Sequence, residues 1–458
     1  MAEVLNRVIE KAIRGSAPAQ INVPRDYWTQ VIDIDLPPIV RLERQGGGVD
    51  AISKAAELLS KAKFPVILSG AGVVIGGAIE ETKKLAEKLD SPVCSGYQHN
   101  DSFPGSHPLA VGPLGYNGSK AAMELISKAD VVLALGTRLN PFSTLPGYGI
   151  DYWPKKASII QVDINPDRIG LTKKVTVGIS GDAKLVAQQI FDKLASNAGD
   201  TDRQKRKDLI HQTKSAWLQK LSSLDHEDDD EGTVWNKEAR ERDSDRMSPR
   251  QAWRAIQAGM PEDVIISSDI GNNCAIGNAY PTFEKPRKYL APGLFGPCGY
   301  GFPSILGAKI GCPDTPVIGF AGDGAFGISM NEMSSCAREE WPAITMVIFR
   351  NYQWGAEKRN TTLWFDNNFV GTELDPELSY AKVADACGLK GVTVRSMEET
   401  TAAIKQSCED QKKGITTFIE VILNQELGEP FRRDAMKKPV RVAGIDKKDM
   451  RPQKSLNG

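Results

Sequence analysis

The sequence has no excess of charge of either sign. Its 458 residues include 57 lysines and arginines and 58 aspartates and glutamates, which gives a net charge of −1. Proteins that bind nucleic acid or anionic membranes depend on a basic surface for electrostatic attraction. We therefore expect neither kind of partner and look to small solutes instead.

Cysteine, histidine and long apolar runs are also scarce. The seven cysteines are scattered without CxxC spacing and the four histidines show no metal-ligand spacing, so the pattern indicates neither a disulfide framework nor a zinc site. No apolar run approaches the roughly 18 residues that a membrane-spanning helix needs. The amino terminus does not have the pattern of a signal peptide. Together these absences predict a soluble protein with reduced thiols in the cytoplasm.

What is present is an alternation of short apolar strands and amphipathic helices. This alternation predicts an α/β fold, with two doubly wound parallel-sheet domains covered by helices on both faces. The predicted domains are a central domain at 46–196, a charged connector at 197–246, a second α/β domain at 247–428 and a tail at 429–458. The predicted strands are 64–72, 91–96, 130–139, 157–165, 263–271, 287–293, 316–324, 343–351 and 416–423, and the predicted helices are 49–63, 78–89, 119–129, 299–311 and 327–340.

The first 45 residues are predicted to contain too few elements to form a domain of their own. Apolar residues at helical spacing (Leu5, Val8, Ile9, Ala12, Ile13) predict a helix that ends near Gly15. A short strand at 19–26 and a polar linker at 33–48 follow. The pattern alone is consistent with an arm that packs on the next domain, or with the end of a domain whose front is absent.

Both the connector and the helix that follows it have a recognisable sequence pattern. Its acidic run, Asp225 to Glu231, is typical of a solvated loop because such carboxylates have no fixed geometry for a metal. Ser248, Pro249 and Gln251 then form a predicted capping box, which begins the helix that opens the second domain.

The strongest chemical signal is a GDG at the end of a predicted strand. Gly322 and Gly324 let the backbone approach a ligand closely, and the helix that follows directs free amides toward an anion. Asp323 cannot hold a phosphate itself, but with Asn351, at the end of the next strand, it supplies oxygen ligands for Mg²⁺ that bridges to a diphosphate. The alternative is a strand-turn-helix with an Asx turn and an incidental asparagine.

At this spacing the sequence resembles the thiamine diphosphate enzymes of the acetolactate synthase and pyruvate oxidase type, in which GDG is followed by asparagine after about 26 residues. The resemblance implies Mg²⁺ held by Asp323, Asn351 and the backbone carbonyl of Gln353. The segments at 267–280 and 296–309 resemble those that contact the diphosphate and support the bent cofactor. The implied cofactor-binding residues are Asp269, Gly271, Asn272, Asn273, Gly296, Cys298, Gly322, Gly324 and Ala325.

Three departures from the family pattern affect these expectations. Cys298 stands where the family usually has a bulky aliphatic residue, so either the smaller side chain weakens the bent cofactor geometry or neighbours such as Phe295 fill the space; we interpret Cys298 as an ordinary buried thiol. Arg350 stands where many relatives have asparagine; a surface ion pair is favoured over attraction of phosphate or sulfonate. The stretch "SGAGVVIGGA" at 69–78 lacks the full dinucleotide fingerprint, so no flavin is expected.

Longer strings carry a narrower resemblance. "NYQWGAEKRN", "FVGTEL" and the tail from Glu429 resemble the sulfoacetaldehyde acetyltransferase branch of the family. This implies conversion of sulfoacetaldehyde and phosphate to acetyl phosphate and sulfite by a homodimer or homotetramer. Lys358, Arg359, Arg432 and Arg433 are candidates for reading the anionic groups, although each is typical of a solvated charge. The alternatives are carboligation of 2-oxo acids, as in acetolactate synthase, and a non-catalytic cofactor-binding protein.

The resemblance also concerns the amino terminus. Residues 1–26 resemble the last helix and strand of the family's pyrimidine-binding domain, so 1–45 is interpreted as the end of that domain plus a linker. In the family this domain carries the catalytic glutamate that acts on the aminopyrimidine. No residue of this chain can be assigned that role, and the expectation is little or no turnover by the chain alone.

Overall fold

The protein has an α/β fold with two parallel six-stranded sheets. The structure is a computed structural model that describes residues 2–15, 17–35, 43–200, 202–223, 243–293, 295–365 and 368–426. The first sheet has the order β3-β2-β1-β4-β5-β6 and the second β11-β12-β10-β9-β7-β8. The strands are β1 Pro65–Ser69, β2 Val93–Ser95, β3 Ala110–Pro113, β4 Val131–Leu135, β5 Ser158–Asp163, β6 Val177–Ser180, β7 Ile265–Ser268, β8 Tyr289–Leu290, β9 Val317–Gly322, β10 Thr345–Arg350, β11 Lys390–Val394 and β12 Thr417–Ile422.

Helices connect most of these strands. Within the described residues, no helix is both long enough and apolar enough to cross a membrane. The helices are α1 Ala2–Gly15, α2 Val49–Lys61, α3 Ala71–Gly76, α4 Ile79–Leu89, α5 Lys120–Ile126, α6 Ala183–Lys193, α7 Arg203–Ser223, α8 Pro249–Gly259, α9 Asn272–Ile276, α10 Gly301–Gly311, α11 Asp323–Ser329, α12 Met333–Cys336, α13 Gly355–Trp364, α14 Tyr380–Ala386 and α15 Met397–Gln411.

The described residues form two compact units. The first takes its residues from Met1–Ser91, Ala129–Leu139 and Lys156–Arg203, and the second from Pro92–Lys128, Asn140–Lys155 and Gln204–Gly458. In the first unit β1, β4, β5 and β6 pair in parallel, and α2 and α4 both pack on α6. Every residue of β1 and β4 is buried, as expected for strands covered on both faces.

Close backbone packing explains the glycines of the 69–78 stretch. A Cβ at Gly72 would lie 2.7 Å from the Cα of Gly136, and one at Gly70 would lie 2.5 Å from the Gly136 carbonyl oxygen. These glycines therefore allow the start of α3 to approach the end of β4. Packing therefore gives a structural reason for Gly70 and Gly72.

The second sheet separates two apolar cores by the alternation of its strands. Val347 and Phe349 of β10 face one core, which contains Trp253. Met346 and Ile348 of the same strand face the other. Because side chains alternate along a strand, a run that is apolar throughout buries both faces, which is why the sequence of β10 shows no polar alternation.

Most of the predicted elements are confirmed, with bounds that differ by a few residues. The helix at the amino terminus is present as α1, and the Ser248 capping box has both of its hydrogen bonds. The strand predicted at 19–26 is wrong: residues 17–24 have no regular structure and a 3₁₀ helix covers Arg25–Thr29. A strand is stabilised by its neighbours in a sheet, and a single-sequence pattern does not reveal whether a neighbour exists.

The charged connector contains a helix that the sequence interpretation missed. Helix α7 spans 21 residues and buries Arg206, Ile210, Trp217 and Leu221. Their spacing follows one helical face, but lysines, arginines and glutamines around them dilute the signal. The acidic run predicted to be a loop lies outside the described residues, as do Arg432 and Arg433.

The contact between Gly277 and Trp253 provides a test of the second core. An added Cβ at Gly277 would lie 2.2 Å from the indole ring of Trp253, which is fully buried. Gly277→Ala is expected to lower the free energy of unfolding by about 1–3 kcal/mol or more, because a packed ring cannot move freely. The measurement is the urea unfolding curve.

Gly307→Ala is the matched control. Gly307 is exposed within α10, and an added Cβ there has no heavy atom within 4 Å. Alanine is expected to raise the free energy of unfolding by up to about 1 kcal/mol through helix propensity. If Gly277→Ala were as stable as Gly307→Ala, the described packing around Trp253 would be incorrect.

Candidate cofactor site

Three neighbouring strands of the second sheet end in polar residues at the same edge. Asp269 follows β7, Asp323 follows β9 and Asn351 follows β10. The strands are parallel, with Ser268 opposite Phe320 and Gly322 opposite Phe349. The chain leaves β7 toward β8 on one side and leaves β9 toward β10 on the other. Ligands of doubly wound sheets bind at such a switch point, outside the carboxyl ends of the strands.

Asp323 is buried and its carboxylate is held by three donors. Only 1% of the residue is exposed. Oδ1 accepts from the Gly324 amide at 2.9 Å, and Oδ2 accepts from the Tyr352 amide at 2.7 Å and from Arg350 Nη1 at 3.2 Å. Burial raises the pKa of Asp323 to about 6, although Arg350 and the amides favour the ionised form.

Arg350 is a buried component of this site. Its side chain is fully buried, so the surface ion pair expected for it is wrong. Beyond Asp323, Nη2 donates to the carbonyl oxygens of Asp375 and Leu378, and the guanidinium lies 4.2 Å from the centre of the Tyr352 ring. The last residue of β10 therefore fixes both the carboxylate and the 375–378 segment.

Two side-chain oxygens near Asp323 lack partners. Asn351 Oδ1 and Gln353 Oε1 are buried without a hydrogen-bond donor among the described residues. Because the Tyr352 amide binds Asp323, the chain around Asn351 is held next to the carboxylate. Gln353 forms an antiparallel bridge with Glu373. The backbone hydrogen bonds on either side of this bridge are made by the carbonyl oxygen of Tyr352 and the amide of Trp354, and not by Gln353 itself. The backbone carbonyl of Gln353 therefore points away from that partner.

These oxygens suit a hard divalent cation. Mg²⁺ prefers carboxylate, carbonyl and water oxygens and shares its shell with phosphates. Where the chain is described, no group of three or more histidine, cysteine, aspartate or glutamate residues is arranged to hold a metal. The oxygens present fit a cation site that has one carboxylate and is completed by neutral oxygens and a diphosphate.

Asp269 organises the loop that carries Cys298. Its carboxylate accepts from the amides of Ile270, Gly299 and Gly301 at 2.7, 3.1 and 2.8 Å. Burial raises the pKa of Asp269, while these amides oppose the rise. Since a carboxylate repels a phosphate, these contacts indicate that Asp269 positions the loop before α10.

The glycines of the predicted site differ in what surrounds them. Among the described residues, Gly322, and Gly271 with φ +139°, have no heavy atom beyond their chain neighbours within 4 Å of an added Cβ. A Cβ at Gly324 would meet the Trp354 ring at 2.8 Å. Gly296 has φ +62°, and Ala325 is buried in the first turn of α11. The open space at Gly271 and Gly322 leaves room for a ligand near the ends of β7 and β9.

The two asparagines at the start of α9 each leave one atom without a partner. Tyr116 Oη donates to Asn272 Oδ1 at 3.3 Å, and Asn272 Nδ2 is buried without an acceptor. The Asn273 carbonyl accepts from Trp253 Nε1 at 2.7 Å, and its Oδ1 is also without a partner among the described residues. Tyr116 thus fixes the amide orientation, which makes Asn272 Nδ2 an available donor.

Cys298 has the properties of an unreactive thiol. It is free and partly buried, and burial raises the pKa of its thiol, which disfavours the nucleophilic thiolate. Phe295 does not fill space beside it, since its side chain is 91% exposed; the expectation that it would is wrong. Lys358, a candidate anion-reading residue, instead pairs with Glu373 at 2.5 Å.

Known proteins match the two sheets. The model "Thiamine pyrophosphate enzyme, central domain" matches residues 52–190 and "Thiamine pyrophosphate enzyme, C-terminal TPP binding domain" matches 269–421. A relative from Rhizobium meliloti, named "Probable sulfoacetaldehyde acetyltransferase", is 79% identical over 99% of this chain and 77% of its own length. The chain belongs to the sulfoacetaldehyde acetyltransferase family of thiamine pyrophosphate enzymes.

One further relative supports the family assignment, and one solved structure supports the fold. A sulfoacetaldehyde acetyltransferase from Roseovarius nubinhibens is 73% identical over 99% of this chain and 75% of its own length. The crystal structure of benzoylformate decarboxylase from Polynucleobacter necessarius has a TM-score of 0.67 and 19% identity, covering 89% of this chain and 70% of that chain. The second similarity concerns the fold alone.

Sequence reasoning about this family missed three contributors to the site. Tyr116 belongs to a segment far from the motif, and no local pattern links it to Asn272. Glu420 interrupts the apolar strand β12, and an acid in such a strand is a signal for a buried partner that was available. The loop at 96–106 forms hydrogen bonds with residues 278–288 through Asn100, Ser106 and Asp101.

The Tyr116 contact leads to a prediction about cofactor affinity. Tyr116→Phe removes the donor that orients Asn272, so the dissociation constant for thiamine diphosphate is expected to rise about 2- to 10-fold, the range for one hydrogen bond. Calorimetric titration of the cofactor measures this change. Tyr148→Phe is the control, since that hydroxyl donates to the Gly118 carbonyl at 3.1 Å. Equal affinities for the two variants would contradict an orienting role for Tyr116.

Proposed function

We propose that the protein converts sulfoacetaldehyde and phosphate to acetyl phosphate and sulfite with thiamine diphosphate and Mg²⁺, as a step in sulfonate (taurine) catabolism. The observation that carries the proposal is the set of oxygens at the carboxyl ends of β9 and β10, in a chain that aligns almost completely with relatives of that name. The proposal includes a cytoplasmic homo-oligomer, a dimer or tetramer, and the domain limits predicted from the sequence.

The metal is assigned to Asp323, Asn351 and the backbone carbonyl of Gln353. Asp323 provides the charge and its carboxylate is already oriented by three donors. Asn351 Oδ1 is buried without a donor in the part of the chain that the structure describes, and a cation ligand would remove the cost of that unsatisfied atom. Neutral second and third ligands leave charge on the metal for the cofactor diphosphate.

The diphosphate is assigned to donors on both sides of the switch point. Asn272 Nδ2 is oriented by Tyr116, and Gly271 and Gly322 leave room for backbone approach. Asn273, Gly296, Gly324 and Ala325 complete the proposed contacts. Asp269 is assigned a positioning role, because its carboxylate is engaged by the amides of residues 270, 299 and 301.

When bound, thiamine diphosphate acts as an electron sink for carbon–carbon and carbon–sulfur chemistry. The residues of this chain bind and orient it: Cys298 and the loop held by Asp269 lie on the segment that resembles the support of the bent cofactor. No residue of this chain is assigned the acid–base role of the family glutamate. The described residues therefore account for binding and geometry, and the proposal makes no statement about proton transfer.

Product analysis tests the reaction. Protein purified from its native source is expected to release sulfite from sulfoacetaldehyde and to form acetyl phosphate in equal amount when phosphate is supplied. Pyruvate is tested in parallel, because acetolactate formation is the competing carboligation. Acetolactate without sulfite would reject the proposed substrate, and cofactor binding without either product would favour a non-catalytic binding protein.

Asp323→Ala tests the metal assignment. The variant is expected to lose most Mg²⁺-dependent binding of thiamine diphosphate, on the order of 100-fold in affinity, because the carboxylate is the single charged ligand. Isothermal calorimetry with this chain, with and without Mg²⁺, measures the effect. Asp410→Asn serves as a control because it removes a buried carboxylate that pairs with Lys390. Equal heats for wild type and Asp323→Ala would refute the metal assignment.

A further inference from the structure

The second unit contains a chain of three buried charges. Asp323 is 1% exposed, Arg350 0% and Glu420 2%. They lie at the end of β9, at the end of β10 and within β12, which pairs with β10 in parallel. Arg350 Nη1 lies 3.2 Å from Asp323 Oδ2, and Arg350 Nε lies 3.7 Å from Glu420 Oε1. The guanidinium therefore stands between two carboxylates.

Glu420 is rigidly held at the start of α14. Its Oε2 accepts from Ser379 Oγ at 2.7 Å and from Thr393 Oγ1 at 3.3 Å. The amides of Tyr380 and Ala381 donate to its two oxygens at 3.2 and 3.4 Å. These donors keep the carboxylate in place beside Arg350.

The charges explain how a metal ligand can tolerate a neighbouring arginine. Taken alone, a buried guanidinium 3.2 Å from Asp323 would neutralise that carboxylate and repel a divalent cation. Glu420 restores the balance, since two carboxylates and one guanidinium leave one net negative charge. Arg350 can then fix the Asp323 rotamer through a hydrogen bond without removing the charge that the cation needs.

We propose that Arg350 and Glu420 are positioning residues for the divalent cation: Arg350 orients Asp323, and Glu420 compensates the charge of Arg350. The inference rests on the proposed metal role of Asp323 and deepens it. The inference makes Glu420 of β12 a determinant of metal affinity. Among the described residues, its contacts are with Arg350, the start of α14 and Thr393, and none of these is a proposed metal ligand.

A purely structural role for the three charges leads to a different expectation. If the three charges only stabilise the fold, removing one of them would lower the stability of the protein and leave the Mg²⁺ affinity of the folded fraction unchanged. Charge compensation predicts instead that affinity depends on the balance of the two charges. Removing the charges of both Arg350 and Glu420 should therefore restore much of the Mg²⁺ affinity that is lost when only Glu420 is neutralised.

The experiment compares Glu420→Gln with the double variant Arg350→Met/Glu420→Gln. Each is titrated with Mg²⁺ at fixed thiamine diphosphate, with cofactor binding followed by tryptophan fluorescence and calorimetry. Glu420→Gln is expected to raise the Mg²⁺ concentration at half-saturation about tenfold or more, because Arg350 is left uncompensated. The double variant is expected to return to within about threefold of wild type: the Tyr352 and Gly324 amides still hold Asp323, and the remaining loss is the contribution of the Arg350 hydrogen bond to its orientation.

Asp410→Asn is the matched control, expected to bind Mg²⁺ as the wild type does. Thermal unfolding without ligand separates affinity from stability for each variant. The proposal is overturned if folded Glu420→Gln has wild-type Mg²⁺ affinity, or if the double variant is as weak as Glu420→Gln. Should Glu420→Gln not fold, a folded double variant that binds Mg²⁺ more than tenfold worse than wild type overturns it equally. A wild-type protein without Mg²⁺-dependent binding would instead reject the proposed function, and this inference with it.

Discussion

A carboxylate that is removed from water needs partners that keep it both charged and oriented, and Asp323 is in this position. Burial disfavours its ionised form, as its raised pKa of about 6 reflects. Two backbone amides and Arg350 oppose this effect. The three contacts also set the shape of the site: they join β9, the end of β10 and the turn that carries Asn351 and Gln353. Without this carboxylate the neighbouring oxygens would have no anionic centre.

The fold places these groups together for topological reasons. Parallel strands bring their carboxyl ends to one edge, and a crevice opens between β7 and β9, because the chain continues from β7 to one side of the sheet and from β9 to the other. Residues as distant in sequence as Asp269 and Asn351 are thereby placed at the ends of two strands that have only β9 between them. The strands are mostly apolar, whereas most polar groups of the site lie at strand ends, at helix starts and in the loops between them. This division lets the cores fix the geometry while the loops supply chemistry.

The sequence predicted the local part of this arrangement well. Strands β9 and β10, the Ser248 capping box and the α/β class follow from patterns within a few residues. The strand at 19–26 was predicted incorrectly because pairing depends on a neighbour, and α7 was missed because charged residues conceal its apolar face. The contact from Tyr116 to Asn272 joins residues 156 positions apart. No local pattern encodes such a pairing, so the family resemblance could suggest Asn272 but not its orienting partner.

Arg350 illustrates why environment, and not residue type, determines a role. At a strand end an arginine is typical of a solvated pair, and the family resemblance offered only the absence of an asparagine. The deciding information lies on β12, where Glu420 sits in an otherwise apolar strand next to β10. A buried acid needs a charged partner or several hydrogen-bond donors, and β10 provides a charged partner at its last position. Reading the two strands together would have predicted the pair. The same pairing explains how the guanidinium of Arg350 beside Asp323 is compatible with the divalent cation proposed for this site.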